Sequence, residues 1–295
     1  MSAPPLTGRP LVLDGGLSNE LVAQGHAVAG ELWTARLLVE DQAAVRAAHA
    51  AYVRAGAEVL ISASYQASFE GFARHGVDRA AAERLFGDSV RLARAAAGGR
   101  RVWVAGSVGP YGAVAADGGE YRGRYGLSVG ELVRFHRPRI AALAAAGPDV
   151  LALETVPDVV EAEALLRAAE GCGVPVWLSY TVEGGRTRAG QSLEEAFALA
   201  AGDDRVLAVG VNCCAPEEVL PAVEVAAATT GKPVVAYPNS GEEWDAAGRR
   251  WRGRGRSPAE YAVAWRDAGA RLIGGCCRVG PAGIAELAAR LAPFR

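Results

Sequence analysis

Apolar and polar positions along this chain follow two alternating patterns. Short runs dense in Val, Leu and Ile recur at 11–14 (LVLD), 58–62 (EVLIS), 102–107 (VWVAGS), 150–154 (VLALE), 175–180 (PVWLSY), 206–212 (VLAVGVN), 233–237 (PVVAY) and 271–274 (RLIG). Continuous apolar runs of this length, bounded by turn residues, predict strands buried on both faces. Between them, near 41–56, 79–97, 128–146, 158–171, 192–201, 216–230, 257–269 and 281–292, lie Ala/Leu/Arg-rich stretches with helical spacing. Asp41, Ser128, Ser192 and Ser257 stand where N-caps belong, and Pro216, Pro258 and Pro281 suit a first helical turn. Ala-Gly segments at Gly56, Gly147 and Gly269 mark helix ends.

Eight strands, each followed by a helix, predict one (βα)8 barrel spanning 1–295. A doubly wound open sheet is the alternative, but neither GxGxxG nor GxxxxGKS/T follows any strand. The segments 112–126 and 238–256 read as long βα loops.

A barrel places chemistry at the C-terminal ends of its strands. The polar residues there are Asp14; Ser62 with Ser64, Tyr65 and Gln66; Ser107; Glu154 and Thr155; Asn212 and Cys213; Asn239 and Ser240; and Cys276, Cys277 and Arg278. Lys232, the only lysine among 31 basic residues, precedes the seventh strand and reads as a solvated turn residue at the opposite end.

Composition narrows the function. The chain has 295 residues and a formal charge of -2, without the concentrated basic face of a nucleic-acid binder. No apolar run approaches the roughly 20 residues that span a bilayer, and the N-terminus lacks a signal-peptide pattern. The partners expected are small molecules, not nucleic acid or membrane. Five cysteines, as Cys172 and the adjacent pairs Cys213–Cys214 and Cys276–Cys277, are not a secreted disulfide framework, so a reducing cytoplasm is expected.

The motif GGCCR at 274–278 closes the eighth strand, and Cys213 closes the sixth. Neighbouring residues of a strand point to opposite faces, yet two glycines can bend the strand end so that both sulfurs turn over the barrel mouth. Three thiolates with an open fourth position suit a catalytic zinc. Buried inert cysteines and a redox-active vicinal pair are the alternatives. Cys214 is expected to point elsewhere, and Cys172 to be structural or exposed.

A second set is acidic. Asp14 is followed by Gly15 and Gly16, whose backbone N–H groups can approach an anion, and Glu154 ends the fourth strand. Two carboxylates at the mouth would hold an ammonium group; a turn cap and an internal ion pair are the alternatives. Aromatics near the mouth (Trp33, Tyr65, Tyr111, Tyr125, Trp244, Trp251) are candidates for a cationic ligand's cage. His26, His49, His75 and His136 fall in helices or loops, and no Ser/His/Asp set is visible. The stretch 249–256 (RRWRGRGR) reads as a solvated basic loop.

These residues together resemble the homocysteine S-methyltransferase family, in its single-domain branch that uses S-methylmethionine. The resemblance runs through LDGG (13–16), ELW and TARLL (31–38), SASYQASFEGF (62–72), AGSVGPYGA (105–113), DGGEYRGRY (117–125), LETVP (153–157), VGVNC (209–213), YPNSGEEWD (237–245) and GGCCR (274–278). It implies a barrel holding zinc through Cys213, Cys276 and Cys277, with Asp14 and Glu154 at the homocysteine amino group and the Gly15 and Gly16 amides at its carboxylate. It implies no ligand role for Cys214, and no cobalamin- or folate-binding domain is expected within these 295 residues. The activity expected is methionine formation, with zinc-bound homocysteine thiolate attacking the methyl group of a sulfonium donor, S-methylmethionine or S-adenosylmethionine. Asn212 is expected at the substrate or in support of it, as is Asn239, and Tyr65 and Gln66 are expected on the donor side. The rival functions are a betaine-type or selenohomocysteine methyltransferase on the same barrel, and a non-enzymatic zinc or thiol redox-responsive protein.

Overall fold

Eight parallel strands follow one another around a ring: β1 (Leu11–Val12), β2 (Val59–Ile61), β3 (Trp103–Val108), β4 (Val150–Val156), β5 (Val176–Tyr180), β6 (Val206–Asn212), β7 (Val234–Tyr237) and β8 (Ala270–Ile273). The computed structural model describes residues 3–28, 32–115, 118–245, 250–253 and 255–294. β1 pairs with β8 through Leu11–Leu272 and Val12–Ile273, and a parallel bridge from Leu13 to Val59 closes the ring onto β2. The expected (βα)8 barrel is therefore what forms.

The helices that follow the strands are α1 (Gln42–Ala55), α2 (Arg79–Ala95), α3 (Val129–Ala145), α4 (Val159–Ala168), α5 (Leu193–Ala201), α6 (Pro216–Thr230), α7 (Ala262–Asp267) and α8 (Pro281–Leu291). Their starts are the ones that local chemistry dictates. The Asp41 and Ser192 side chains accept the Ala44 and Glu195 N–H groups, and Ser128 with Glu131 forms a reciprocal capping box. Pro216 and Pro281 open α6 and α8.

The expected helix at 257–269 is split. Ser257 caps a short 3-10 turn, Pro258–Glu260, and α7 begins only at Ala262. Short helices at Leu17–Ala23, Arg36–Glu40, Phe69–Arg74 and Tyr111–Ala115 lie inside βα connections. They hold too few residues to set up a period in the sequence. The long connection after β7 folds back as a hairpin of Glu243–Asp245 with Arg250–Arg252.

Two packing layers follow from the two-residue period of the strands. One set of side chains fills the barrel: Leu11, Leu13, Val59, Trp103, Ala105, Val150, Ala152, Trp177, Ala208, Val235, Tyr237 and Leu272. Small residues (Ala105, Ala152, Ala208) face large ones (Trp103, Trp177, Tyr237), so the layers interdigitate. The alternate residues, such as Val12, Leu60, Val104, Leu151 and Val209, pack outward beneath the helices. Continuing the inward set toward the mouth reaches Ser107, Glu154 and Ser179 one step on and, past Gly210, Asn212, all four buried. The same register that builds the core thus delivers polar groups to its upper end.

Candidate metal centre and active site

Three thiols meet over that end. The Sγ atoms of Cys213, Cys276 and Cys277 lie within 4.8 Å of one another, and Cys213 Sγ is 3.7 Å from Cys277 Sγ. The strand period alone would send Cys213 outward, because its neighbour Asn212 points in. The backbone reverses this: Cys213 adopts a left-handed conformation with φ +52° and carries its sulfur into the mouth. Cys214 then packs into the layer between sheet and helices, away from the thiol cluster, as expected.

The Cys276–Cys277 turn is held by the ends of the two neighbouring strands, β1 and β7. Gly275 donates to the Asp14 carbonyl (3.1 Å), Cys276 to the Pro238 carbonyl (2.7 Å), and Cys277 to Asn239 Oδ1 (3.2 Å). Asn239 is thus a support for the thiol turn. Arg278, with φ +67°, donates its N–H to Asn19 Oδ1 and forks its guanidinium onto Glu242 at 2.9 and 3.0 Å. Tyr121 was absent from the aromatic positions expected at the mouth, yet its hydroxyl lies 3.1 Å from Cys213 Sγ. Its place in a long, tyrosine-rich βα loop was the available signal.

The acidic pair stands beside the thiols. Asp14 Oδ2 accepts the Ile61 N–H (2.9 Å), while Oδ1 is buried without a partner. Glu154 accepts from the Ser107 hydroxyl and from the Tyr237 hydroxyl (3.1 Å), which in turn accepts from Trp177 Nε1 (3.2 Å). Burial pushes Glu154 up to about 7 against the pull of those hydroxyls, and it raises Asp14 well above the carboxylate range, helped by the Glu154 charge. An orphaned carboxyl oxygen near a second, desolvated carboxyl is the complement of an ammonium group.

Two of the expected site residues are engaged by protein partners. Gly16 donates its N–H to the Val279 carbonyl (2.9 Å), so this amide does not await a substrate carboxylate. The residue is small because a Cβ there would lie 2.7 Å from the Cys276 carbonyl. Asn212 is fully buried: Oδ1 accepts from Thr155 N (2.8 Å) and Ser179 Oγ (2.7 Å), and Nδ2 donates to Thr155 Oγ1 (2.7 Å). It braces the Glu154–Thr155 bulge from below, where β4 shifts register between Leu153 and Val156 and Thr155 takes φ +57°. Of the two roles expected for Asn212, these bonds make it a support.

Burial raises the Tyr65 hydroxyl well above the usual phenol range, and the nearby Cys213 and Glu154 charges add to that rise. Gln66 is tied by Nε2 to the Ala113 carbonyl (2.8 Å), joining two βα loops. Tyr111 and Tyr125 lie 5.3 Å apart, and Tyr111 also packs on Phe135 of α3 at 5.0 Å, so this pair builds a wall beneath the loop. Trp33 is largely exposed. The backbones of Trp244 and Trp251 pair in the hairpin, but their side chains lie outside the described residues, as do Arg249 and Arg254 of the basic stretch and Glu31 and Asp117. Arg256 pairs with Glu217 at 3.1 Å, as a solvated loop residue would. Lys232 reaches the Asp203 carbonyl (3.0 Å) at the opposite end of the barrel.

The fold and site define a barrel enzyme with a three-thiol centre able to hold a metal and a buried carboxylate pair at its mouth. The homocysteine S-methyltransferase family model matches residues 11–291, and the chain belongs to that family. It is 45% identical to the homocysteine S-methyltransferase of Escherichia coli strain K12, over 95% of this chain and 94% of that one. Identity to the homocysteine S-methyltransferase YbgG of Bacillus subtilis is 39%, over 95% and 93%. Its structure is similar to the metallated form of the homocysteine methyltransferase MmuM from Escherichia coli, with a TM-score of 0.85 and 43% identity over 96% and 97% of the two chains. The protein is a methyltransferase. Among the described residues, no helix is long and apolar enough to cross a membrane.

Proposed function

We propose that this enzyme makes methionine by moving a methyl group from a sulfonium donor, S-methylmethionine, to homocysteine. The observation that carries this is the juxtaposition of the three converging thiols with the buried pair Asp14 and Glu154, whose Asp14 Oδ1 lacks a partner. A redox sensor needs the thiols but has no use for two desolvated carboxyls. The metal we assign is zinc, because three soft thiolates with room for one more ligand fit it better than a hard cation. Cys213, Cys276 and Cys277 would hold it, and when bound it would lower the pKa of a fourth sulfur ligand so that the thiolate dominates at neutral pH.

Asp14 and Glu154 hold the homocysteine ammonium, and the Gly15 N–H faces its carboxylate. The homocysteine sulfur, having lost its proton, attacks the donor methyl carbon in line. A carbon–sulfur bond forms there as the donor's methyl–sulfonium bond breaks, and that electron pair stays on the donor sulfur, giving two thioethers. With S-methylmethionine both are methionine. Tyr65 places an aromatic face and a hydroxyl at the donor side, where only modest contacts are needed because the donor loses its charge during transfer. Most of the rate gain comes from holding the two sulfurs and the methyl carbon in line.

Residues 1–295 are read as one barrel domain, acting on small molecules without nucleic acid or membrane, in a reducing cytoplasm. The test is to incubate reduced, zinc-loaded protein with homocysteine and, separately, S-methylmethionine, S-adenosylmethionine and betaine, and to quantify methionine. Fastest turnover with S-methylmethionine is expected. No methionine from any donor, with metal fully bound, would refute the proposed activity.

A further inference from the structure

Behind the thiol centre lies a buried charged cluster that the methyl-transfer chemistry does not use. His136 and Arg139 come from α3, one turn apart, and Glu161 comes from the first turn of α4; all three are shielded from solvent. Arg139 Nη1 stands 3.4 Å from His136 Nδ1. A guanidinium only donates, so Nδ1 accepts and the imidazole proton sits on Nε2, which donates to Glu161 Oε1 at 2.9 Å. Glu161 Oε1 also accepts the Tyr111 N–H at 2.5 Å.

The other end of Arg139 forks across two loops. Nη1 donates to the Gly109 carbonyl and Nη2 to the Tyr65 carbonyl, each at 3.0 Å, and the Gly109 N–H donates to the same Tyr65 carbonyl at 3.2 Å. The loops meet so closely there that a Cβ on Gly109 would lie 2.7 Å from the Tyr65 ring. Burying charge costs several kcal/mol per ion, and apolar side chains of similar volume fill such space at lower cost. What apolar side chains cannot supply is a planar fork that sets two carbonyls at once.

We propose that Arg139 is a positioning residue for the donor side of the site, holding the Tyr65 and Gly109 carbonyls so that the Tyr65 ring stays turned toward Cys213 and Thr155. Glu161, linked to Arg139 through His136, anchors by the Tyr111 N–H the start of the segment that brings Tyr121 to Cys213 Sγ. This assignment rests on the reading that methyl transfer takes place at the three thiols with Tyr65 beside the donor.

The test compares wild type with Arg139→Met, Arg139→Lys and the charge-balanced double variant Arg139→Met/Glu161→Gln, each alone and combined with Tyr65→Phe. Metal content, homocysteine affinity and donor kinetics are measured on the zinc-loaded proteins, and hydrogen exchange is followed over 62–68 and 109–114. Arg139→Met is expected to lower donor kcat/KM by about 100-fold, the cost of an ångström-scale misplacement. Metal content and homocysteine affinity should be retained, and Arg139→Lys should restore only part of the loss. The Arg139→Met effect should shrink in the Tyr65→Phe background, and exchange should quicken in both loop segments but not in α3.

Unchanged donor kinetics in a folded Arg139→Met or double variant, or full additivity with Tyr65→Phe, would overturn the proposal. Absence of wild-type turnover would refute the activity itself. In that event the exchange data still decide whether Arg139 sets the loops: unaltered exchange at 62–68 and 109–114 would show that it does not.

Discussion

Asn212 grips Thr155 from both sides, accepting its N–H on Oδ1 at 2.8 Å and donating from Nδ2 to its Oγ1 at 2.7 Å. Thr155 is β-branched and held at φ +57°, a conformation that costs of order 1–3 kcal/mol unless the surroundings impose it. Because Glu154 is the adjacent residue, the grip on Thr155 also aims the carboxyl. Asn212→Ala should therefore lower stability by about 2–4 kcal/mol through lost buried hydrogen bonds, and weaken homocysteine binding while metal content stays near wild type. Denaturant unfolding and calorimetry with metal-loaded protein check this; unaltered homocysteine affinity would show that the grip does not reach Glu154.

Cys213, Cys276 and Cys277 should each be needed for metal retention, and Cys214 should not. Replacing any of the three by Ser is expected to lower bound metal sharply and abolish turnover, whereas Cys214→Ser should keep both. Metal analysis after desalting distinguishes the neighbours, and loss of metal from Cys214→Ser would mean that the αL turn at Cys213 does not choose between them in solution.

The Glu154 carboxyl gives the metal-free protein an unusual dependence on pH. Its folded pKa is about 7 and its ordinary value 4.5, so between those points the folded chain keeps a proton that the unfolded chain has released. Unfolding free energy must then fall as pH rises through this window, by of order 3 kcal/mol for this group alone. Glu154→Gln should remove that fall. An ammonium ligand favours the ionised carboxylate, so homocysteine binding near pH 6.5 should expel a proton, visible as a buffer-dependent binding enthalpy.

His49 acts in the opposite direction. It is fully buried on α1, neither ring nitrogen has a partner, and burial alone lowers its pKa from 6.5 to about 4. Between those values only the unfolded chain takes up the proton, so stability drops as pH falls from 6.5 toward 4. His49→Leu should flatten the acid limb of a stability–pH curve. In the wild type the Glu154 and His49 slopes overlap between about 4.5 and 6.5 and partly cancel, so Glu154→Gln should expose a steeper acid loss.

Asp14→Asn should weaken homocysteine binding and leave metal content unchanged, since Asp14 Oδ1 is the unpartnered oxygen and lies outside the thiol cluster. Gly15→Ala should act differently. A Cβ there would run into the Val279 carbonyl and lie 2.9 Å from the Tyr52 ring, so it must push the Cys276–Val279 turn and reduce stability and metal retention together. Parallel melting curves and metal titrations separate the two kinds of damage.

Much of the fold was legible in the chain because the forces that set it act over a few residues. Short continuous apolar runs marked all eight strands, and side-chain caps at Asp41, Ser128 and Ser192 marked helix starts to within a residue. The thiols and carboxylates were legible as strand-end residues once the barrel order was in hand. Tyr121 and the Arg139–His136–Glu161 cluster were not, because their partners lie 25 to 92 positions away and no local pattern records a meeting at that separation.

By itself the sequence determined the order of strands and helices, the parity that points Glu154 and Asn212 inward, and the identity of the groups at the mouth. Tertiary structure decided what those groups do. It turned Cys213 rather than Cys214 into the site through a left-handed residue, engaged Gly16 and Asn212 with protein partners, and left Asp14 Oδ1 with none. The physical reason is that a hydrogen bond is satisfied by whichever partner the closed barrel brings within about 3 Å, and that is settled only when all eight strands are in place.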